Sequence, residues 1–219
     1  MKRHSSEEAR RFILEHTTEG RAPIVPELSL RLATESTALW RATEAWLEEM
    51  GLAPPYWAFS WVGGQALARF VLDHPEYVTG RVVIDFGSGG GIVAMAAKRA
   101  GAVRVVAIDR DPVALVACAI NAEANHLEVE LCESETLDVP AASDADIVLA
   151  GDVFYERKDA AAITASLVAE AARGRTVLAG CPGRAYTPTA GVTVVAELDV
   201  MGALELEGRE RRSTKVLRF

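Results

Sequence analysis

The segment Arg81–Gly101, RVVIDFGSGGGIVAMAAKRAG, decides the reading of this chain. It opens on an apolar run, Val82-Val83-Ile84, that ends in an acid, Asp85. Glycines follow at Gly87, Gly89 and Gly91, with Gly90 between the last two, and then an alanine-rich stretch at helical spacing. This pattern predicts a buried strand, Arg81 to Phe86, that turns into a helix from Gly91 to Ala100. The turn needs residues that accept positive φ and let a ligand approach the backbone closely. In an open α/β sheet, the crevice at the carboxyl ends of the strands is where ligands bind.

The spacing D-x-G-x-G-x-G narrows the ligand. The dinucleotide fingerprint G-x-G-x-x-G would need its last glycine at Ile92 when counted from Gly87, and at Ala94 when counted from Gly89. Alanine can replace that last glycine, so the second register is weakened rather than excluded. Asp85 would repel a pyrophosphate, but it suits a ligand's ammonium or the holding of the loop. Asp109 stands about 20 residues past the first glycine, where a carboxylate accepts from ribose hydroxyls. S-adenosyl-L-methionine has the ribose and the positive charge and lacks a phosphate. The competing readings are a glycine turn that only closes a βαβ unit, and a nicotinamide-dependent oxidoreductase.

Outward from this segment the rhythm continues. Strands are predicted at Val103–Asp109, Leu127–Cys132, Asp146–Gly151, Thr176–Gly180, Val192–Asp199 and Ser213–Phe219. Helices are predicted at Pro112–Asn125 and from Lys158 to Arg173. Alternating strands and helices imply parallel βαβ units in a doubly wound sheet. The last two strands, joined through Gly202–Gly208, suggest a hairpin edge. Upstream, a helix is expected from about Gly64 to Asp73 after a proline-aromatic loop. Residues 4 to about 50 read as mainly helical, with serine caps in SSEEARRFILEHT and an extended loop at Pro23 and Pro26. Leu39, Trp40, Ala42, Thr43, Trp46, Leu47 and Met50 fall on one helical stripe, and Gly51 ends it. The expected division is an N-terminal helical extension, residues 1–55, and a ligand-binding domain, residues 56–219.

Composition bounds the alternatives. The chain has 219 residues, 50% hydrophobic and 25% charged, an ordinary globular balance. No apolar run approaches the roughly 20 residues of a membrane span, and the N-terminus lacks an apolar signal core. Three scattered cysteines and four dispersed histidines argue against disulfides and metal and for a cytoplasmic protein. The net charge of −8 disfavours nucleic acid, with GRERRSTKVLRF the one basic cluster. An acidic surface suits solubility or a basic protein partner.

VVIDFGSGGG resembles motif I of the class I, seven-β-strand, S-adenosylmethionine-dependent methyltransferases, and VVAIDRDPVALVACAINAEAN resembles their second strand and helix. The resemblance covers Trp57 to the C-terminus. It implies a Rossmann-like, mostly parallel sheet in the order 3-2-1-4-5-7-6, with the seventh strand antiparallel. GDVFYE, Gly151–Glu156, resembles the D-x-x-Y signature of the protein-lysine methyltransferase group, with Asp152 and Tyr155 in its two places. PPYWAFSWVGGQALARFVLDHP resembles that group's entry helix, with Trp61 as the tryptophan over the cofactor. Within the group the chain is most similar to bacterial relatives of the electron transfer flavoprotein β-subunit lysine methyltransferase. Ribosomal protein L11 methyltransferases are the nearest other kin, but they carry a larger N-terminal domain and an N-P-x-x motif after strand four.

The resemblance implies a protein-lysine N-methyltransferase that uses S-adenosyl-L-methionine, releases S-adenosyl-L-homocysteine and acts, as a monomer, on the flavoprotein β subunit. Asp152 and Tyr155 would orient the lysine, or else cap and pack the loop. Trp57, Phe154 or Tyr155 would offer aromatic faces to the ammonium. Asp85 with Gly87, Ser88 and Gly89 would meet the methionine moiety, and Asp109 the ribose. Arg110 would stack near the adenine or remain solvated, and Glu133 and Ser134 would lie at the adenine. Gln65 would reach the methionine carboxylate or pack at the helix start. A ribosomal-protein or small-amine methyltransferase, or a non-catalytic cofactor-binding module, are the alternatives.

Overall fold

The computed structural model describes residues 5–42, 46–47, 51, 53–202 and 211–219. Its centre is a sheet of seven strands: β3 (Val82–Phe86), β4 (Arg104–Asp109), β5 (Glu130–Glu133), β6 (Ile147–Gly151), β7 (Thr176–Cys181), β8 (Thr193–Met201) and β9 (Arg211–Arg218). Their order is β5-β4-β3-β6-β7-β9-β8. β3 pairs parallel with β4 and with β6, and β9 runs antiparallel to both β7 and β8. Counted from β3, this is the order 3-2-1-4-5-7-6 that the family resemblance implied.

Period-two alternation sends successive strand residues to opposite faces. Val83, Val105, Ala107, Ile147, Leu149 and Leu178 pack on one face with α2 (Val62–Asp73) and α3 (Ile92–Arg99). Ile84, Val106, Ile108, Val148, Val177 and Ala179 pack on the other with Leu167 of α5 (Arg157–Ala172). α4 (Pro112–Ala124) starts at the cap residue Asp111, whose side chain accepts from the Val113 N–H. β3 lies between strands that the chain visits in opposite directions, so the crevice opens at its carboxyl end.

The N-terminal extension differs from the expectation. α1 (Ser6–His16) is present, with a capping box between Ser5 and Glu8. After it comes not more helix but an antiparallel hairpin of β1 (Thr18–Ala22) and β2 (Val25–Leu32). The leucines of ELSLRL alternate with polar residues, a strand period. Pro23 sits in the turn, and Pro26 in a bulged stretch where no ladder bond is needed from its nitrogen. The other edge of β2 is closed by Asn121 of α4, by Asn125 at the C-terminal cap of that helix, and by a backbone bond near Ala58. Asn125 accepts from the Ser29 N–H and donates to its carbonyl, Asn121 accepts from the Arg31 N–H at 2.7 Å, and Ala33 donates to the Ala58 carbonyl.

The predicted helix over Leu39–Met50 is also revised. Ala38–Arg41 is a short 3₁₀ turn that ends at Ala42 in extended conformation, while Trp46 and Leu47 are helical. Trp40 packs against Phe59, whereas Trp46 meets Phe12 and His16, so the two tryptophans serve different neighbours. Thr43 and Met50 lie outside the described residues, as does most of the β8–β9 connection, 203–210. Among the described residues no helix is long and apolar enough to cross a membrane.

Candidate active site

The glycine turn is stitched to the end of β4. Gly87 and Ser88 both donate to the Ile108 carbonyl, at 2.8 and 3.1 Å. Gly89 donates to Asp109 Oδ2 at 2.8 Å, and the other Asp109 oxygen accepts from the Asp111 N–H at 2.9 Å. Asp109 therefore fixes both the turn and the start of α4. Burial raises its carboxyl above the ordinary range, opposed by those backbone donors. Gly91 adopts φ +81° at the cap position of α3, with no side chain to cap it. Asp85, 1% exposed, serves instead: its Oδ2 accepts from the Ala94 N–H in the first turn. Burial pushes Asp85 up to about 7. It thus holds the loop while also lining the cleft, so both roles the sequence left open are compatible with its position.

A cleft of about 500 Å³, its open mouth included, lies over this turn. Asp85, Gly87, Ser88, Gly89, Gly90 and Trp61 line it, together with Leu30, Arg31 and Leu32 of the hairpin. The extension is a wall of the site. Asn121 joins wall and floor, because it donates to the Gly90 carbonyl at 2.8 Å while it accepts from the Arg31 N–H. The hairpin left little mark in sequence beyond the alternation of ELSLRL.

The residue set fits a ligand with a carboxylate, a cation and a ribose. Ser88 Oγ is buried without a hydrogen-bond partner among the described residues. A Cβ on Gly90 would stand 2.8 Å from the Trp57 carbonyl, so this floor is bare backbone by necessity. Asp109 is adjacent, and register pairing sets Glu133 beside it across β4 and β5. Ser134 donates its N–H to the Asp109 carbonyl, while its hydroxyl is turned to Thr136.

Two residues for which the sequence left two roles open have other partners here. Gln65 does not line the cleft: its amide donates to the Ser60 carbonyl at 2.6 Å and toward Met201 of β8, tying α2 to its surroundings. Arg110 is exposed and paired with Asp159 at 2.7 Å and Glu156 at 3.5 Å, so its charge is committed to the start of α5. Phe154 is fully buried and does not line the cleft, whereas Trp57, though only 4% exposed, is part of its lining.

Asp152 and Tyr155 follow β6 at the same end of the sheet. Asp152 is 6% exposed and holds φ +60°, a conformation that aspartate tolerates better than most residues. The start of α2 presses against it so closely that a Cβ on Gly63 would stand 2.6 Å from the Gly180 carbonyl and 2.8 Å from Asp152 Cβ. Asp152 Oδ2 accepts from the Gly63 N–H. Arg184, past β7, grips the carboxylate with two donors: Nε to Oδ1 at 2.7 Å and Nη2 to Oδ2 at 2.8 Å. Its guanidinium also sits 5.7 Å from the Trp61 ring centre. Sequence reading passed over Arg184, although CPGRAY closes a strand at the ligand-binding end of the sheet.

Tyr155 is 44% exposed, with a hydroxyl pushed up to about 12 by partial burial, against the opposing charge of Arg110. It belongs to a row of aromatic rings. Tyr155 meets Tyr56 at 5.3 Å, Tyr56 meets Trp61 at 6.1 Å, and Trp61 meets Phe59 at 5.8 Å. Trp61 Nε1 donates to the Tyr56 carbonyl, which fixes the first turn of the row.

This fold and this cleft define a class I, S-adenosylmethionine-dependent methyltransferase. The profile of the ribosomal protein L11 methyltransferase family matches residues 67–153. The magnesium protoporphyrin IX methyltransferase of Synechocystis, solved with bound cofactor, shares the fold with a TM-score of 0.53 at 19% identity, over 72% of this chain and 80% of that one. Sequence similarity reaches further. The electron transfer flavoprotein beta subunit lysine methyltransferase of Danio rerio is 38% identical over 83% of this chain and 70% of its own length. That of Xenopus laevis is 40% identical over 80% and 71%. The chain belongs to the electron transfer flavoprotein beta subunit lysine methyltransferase family.

Proposed function

We propose that this chain methylates lysine on the β subunit of an electron transfer flavoprotein, with Asp152 and Tyr155 receiving the lysine at the mouth of the cleft. The observation that carries this reading is the pairing of the D-x-x-Y residues with the aromatic row of Tyr56 and Trp61, in a chain 38–40% identical to the flavoprotein enzymes. The bound cofactor supplies an electrophilic methyl on a sulfonium. Gly87, Ser88 and Gly89 would cradle its methionine end, Asp85 would keep that turn in place, Asp109 would accept from the ribose, and Trp61 would cover it. Glu133 and Ser134 would border the adenine, with Arg110 at the rim. Residues 1–55 would be an N-terminal extension whose Leu30, Arg31 and Leu32 wall the site, and 56–219 the methyltransferase domain. The three free cysteines suit a reducing cytoplasm.

An amine attacks only when neutral and in line, within about 3–3.5 Å of the methyl. A lysine with a reference pKa near 10.4 must therefore give a proton to water before the amine nitrogen bonds the methyl carbon and the carbon–sulfur bond breaks, leaving S-adenosylhomocysteine. Tyr155 remains protonated, and its hydroxyl oxygen accepts a hydrogen bond from an N–H of the amine, which leaves the lone pair free. Asp152 accepts one from the amine and so aims its lone pair. The flat faces of Tyr56, Tyr155 and Trp61 hold the aliphatic stem and the cationic forms.

The test is transfer of labelled methyl to purified flavoprotein and to a lysate. Wild type is expected to label one protein, the β subunit, on lysine. D152N is expected to bind S-adenosylhomocysteine normally and lose turnover by orders of magnitude; normal turnover in D152N would remove Asp152 from the reaction. A ribosomal protein is the second reading, supported by the family match over residues 67–153. That match stops before Tyr155, and labelling of a ribosomal protein in the lysate would favour it.

A further inference from the structure

We infer that Arg184 is a positioning residue for methyl transfer: by forking Asp152 it fixes the carboxylate and balances its charge, so that the substrate lysine is received as an amine rather than held as an ammonium. This rests on the reading of Asp152 as the group that meets the lysine.

The geometry is that of a built pair. Both donors of the fork are in hydrogen-bond range of separate oxygens, which for arginine and carboxylate is the strong, orientation-specific arrangement. The arginine is clamped by its own backbone, since the Thr187 N–H and hydroxyl both bond the Arg184 carbonyl and Cys181 Sγ lies 2.8 Å from the same hydroxyl. The guanidinium lies over Trp61, a wall of the cleft. Other titratable groups of these elements have partners of their own: Glu156 has Arg110 and Lys158, and Arg69 of α2 has Glu27 and Asp73. Tyr155 and Tyr186 complete the set near the loop.

The chemical consequence follows from charge. A carboxylate without a counter-cation, close to an incoming ammonium, raises the ammonium's pKa by about 1–3 units. The proton then stays where the attacking lone pair should be. With the guanidinium across from it, Asp152 still accepts a hydrogen bond from the amine but gives the charged form little added advantage. A cation near a reacting lysine is a general way to favour the neutral nucleophile.

The experiment compares R184Q and R184K with wild type, reading the Kd for the flavoprotein β subunit in the presence of S-adenosylhomocysteine, and kcat and KM separately. R184Q is expected to bind the β subunit more tightly while kcat falls about tenfold or more, the cost of one unit in the lysine pKa. R184K keeps the charge without the full fork and is expected to restore most of kcat. A lost structural contact would instead weaken binding and turnover together, and that result in R184Q overturns the inference. So does an R184K as impaired as R184Q; if R184Q fails to fold, an R184K whose kcat falls about tenfold or more below wild type overturns the inference by itself. Wild-type enzyme that binds S-adenosylhomocysteine yet leaves the β subunit unlabelled sinks the substrate reading instead, before any variant is compared.

Discussion

Gly91 is the residue on which the cofactor turn pivots, and replacing it by alanine tests the packing directly. At φ +81° an L side chain costs about 1–2 kcal/mol. The new methyl would also fall on Cys118 Sγ of α4, in impossible overlap, with Cys118 Cβ at 3.2 Å behind it. Overpacking of this kind costs about 1–3 kcal/mol. G91A should therefore lose roughly 2–5 kcal/mol, the sum of the two. The steric part has a single main author, the sulfur, so C118A in the G91A background should return about 1–3 kcal/mol of it. The backbone part and the crowding by Cβ remain. Urea unfolding of wild type, both single variants and the double variant, followed by circular dichroism, gives the coupling energy. Calorimetry with S-adenosylhomocysteine should show G91A weakened about tenfold, as a turn displaced by 1.4 kcal/mol would produce. If the two substitutions prove additive in stability, the close approach of turn and α4 is not as described and the reasoning fails.

Three further outcomes are expected. Asp85, pushed up to about 7 by burial, keeps its proton in the folded state across a range where the unfolded chain has lost it. The folded state binds the extra proton, so this group's contribution is full below about pH 4 and is lost as pH rises toward 7, on the order of a few kcal/mol. D85N should thus gain on wild type as pH rises from 4 to 7, and parallel curves of unfolding free energy against pH would contradict it. N121A removes the link between the Gly90 carbonyl and the Arg31 N–H, and should cost about 2–4 kcal/mol. Hydrogen exchange at Arg31 should quicken more than in β4, and an unchanged Arg31 amide would count against the link. Y56A deletes a 44% exposed ring of the aromatic row. It should leave thermal stability near wild type and raise KM for the protein substrate by about 5–20-fold, the worth of one cation–π contact; an unaltered KM would take Tyr56 out of the substrate path.

Much of this molecule was legible in its local chemistry. The parallel, doubly wound sheet followed from strands alternating with helices, since a βαβ crossover has one favoured hand and buries continuous apolar strands, while the strand order came from the resemblance to a family. The glycine turn announced itself because its spacing is a backbone requirement: no residue but glycine suits Gly91, and bare backbone is needed at Gly90. Asp85 and Asp109 stood out because a carboxylate at a strand end is costly without a purpose.

What the sequence left open depended on partners far along the chain. The hairpin was hidden by Pro23 and Pro26, whose penalty vanishes only because one lies in a turn and the other in a bulge, while Asn121 and Asn125 close the far edge of β2. The stripe of tryptophans looked helical because periodicity records spacing, not which ring meets Phe59 and which meets Phe12. For Gln65 and Arg110 the sequence left two roles open, and the structure gives each a partner far along the chain: Met201, besides nearby Ser60, for the first, and Asp159 and Glu156 for the second. Arg184 is the clearest instance. A residue 32 positions from Asp152 becomes its closest charged neighbour only because β6 and β7 are adjacent in the sheet. Backbone conformation and apolar period are local properties and can be read in line. The choice of charge partner is a property of the assembled surface, and only the tertiary structure decided it.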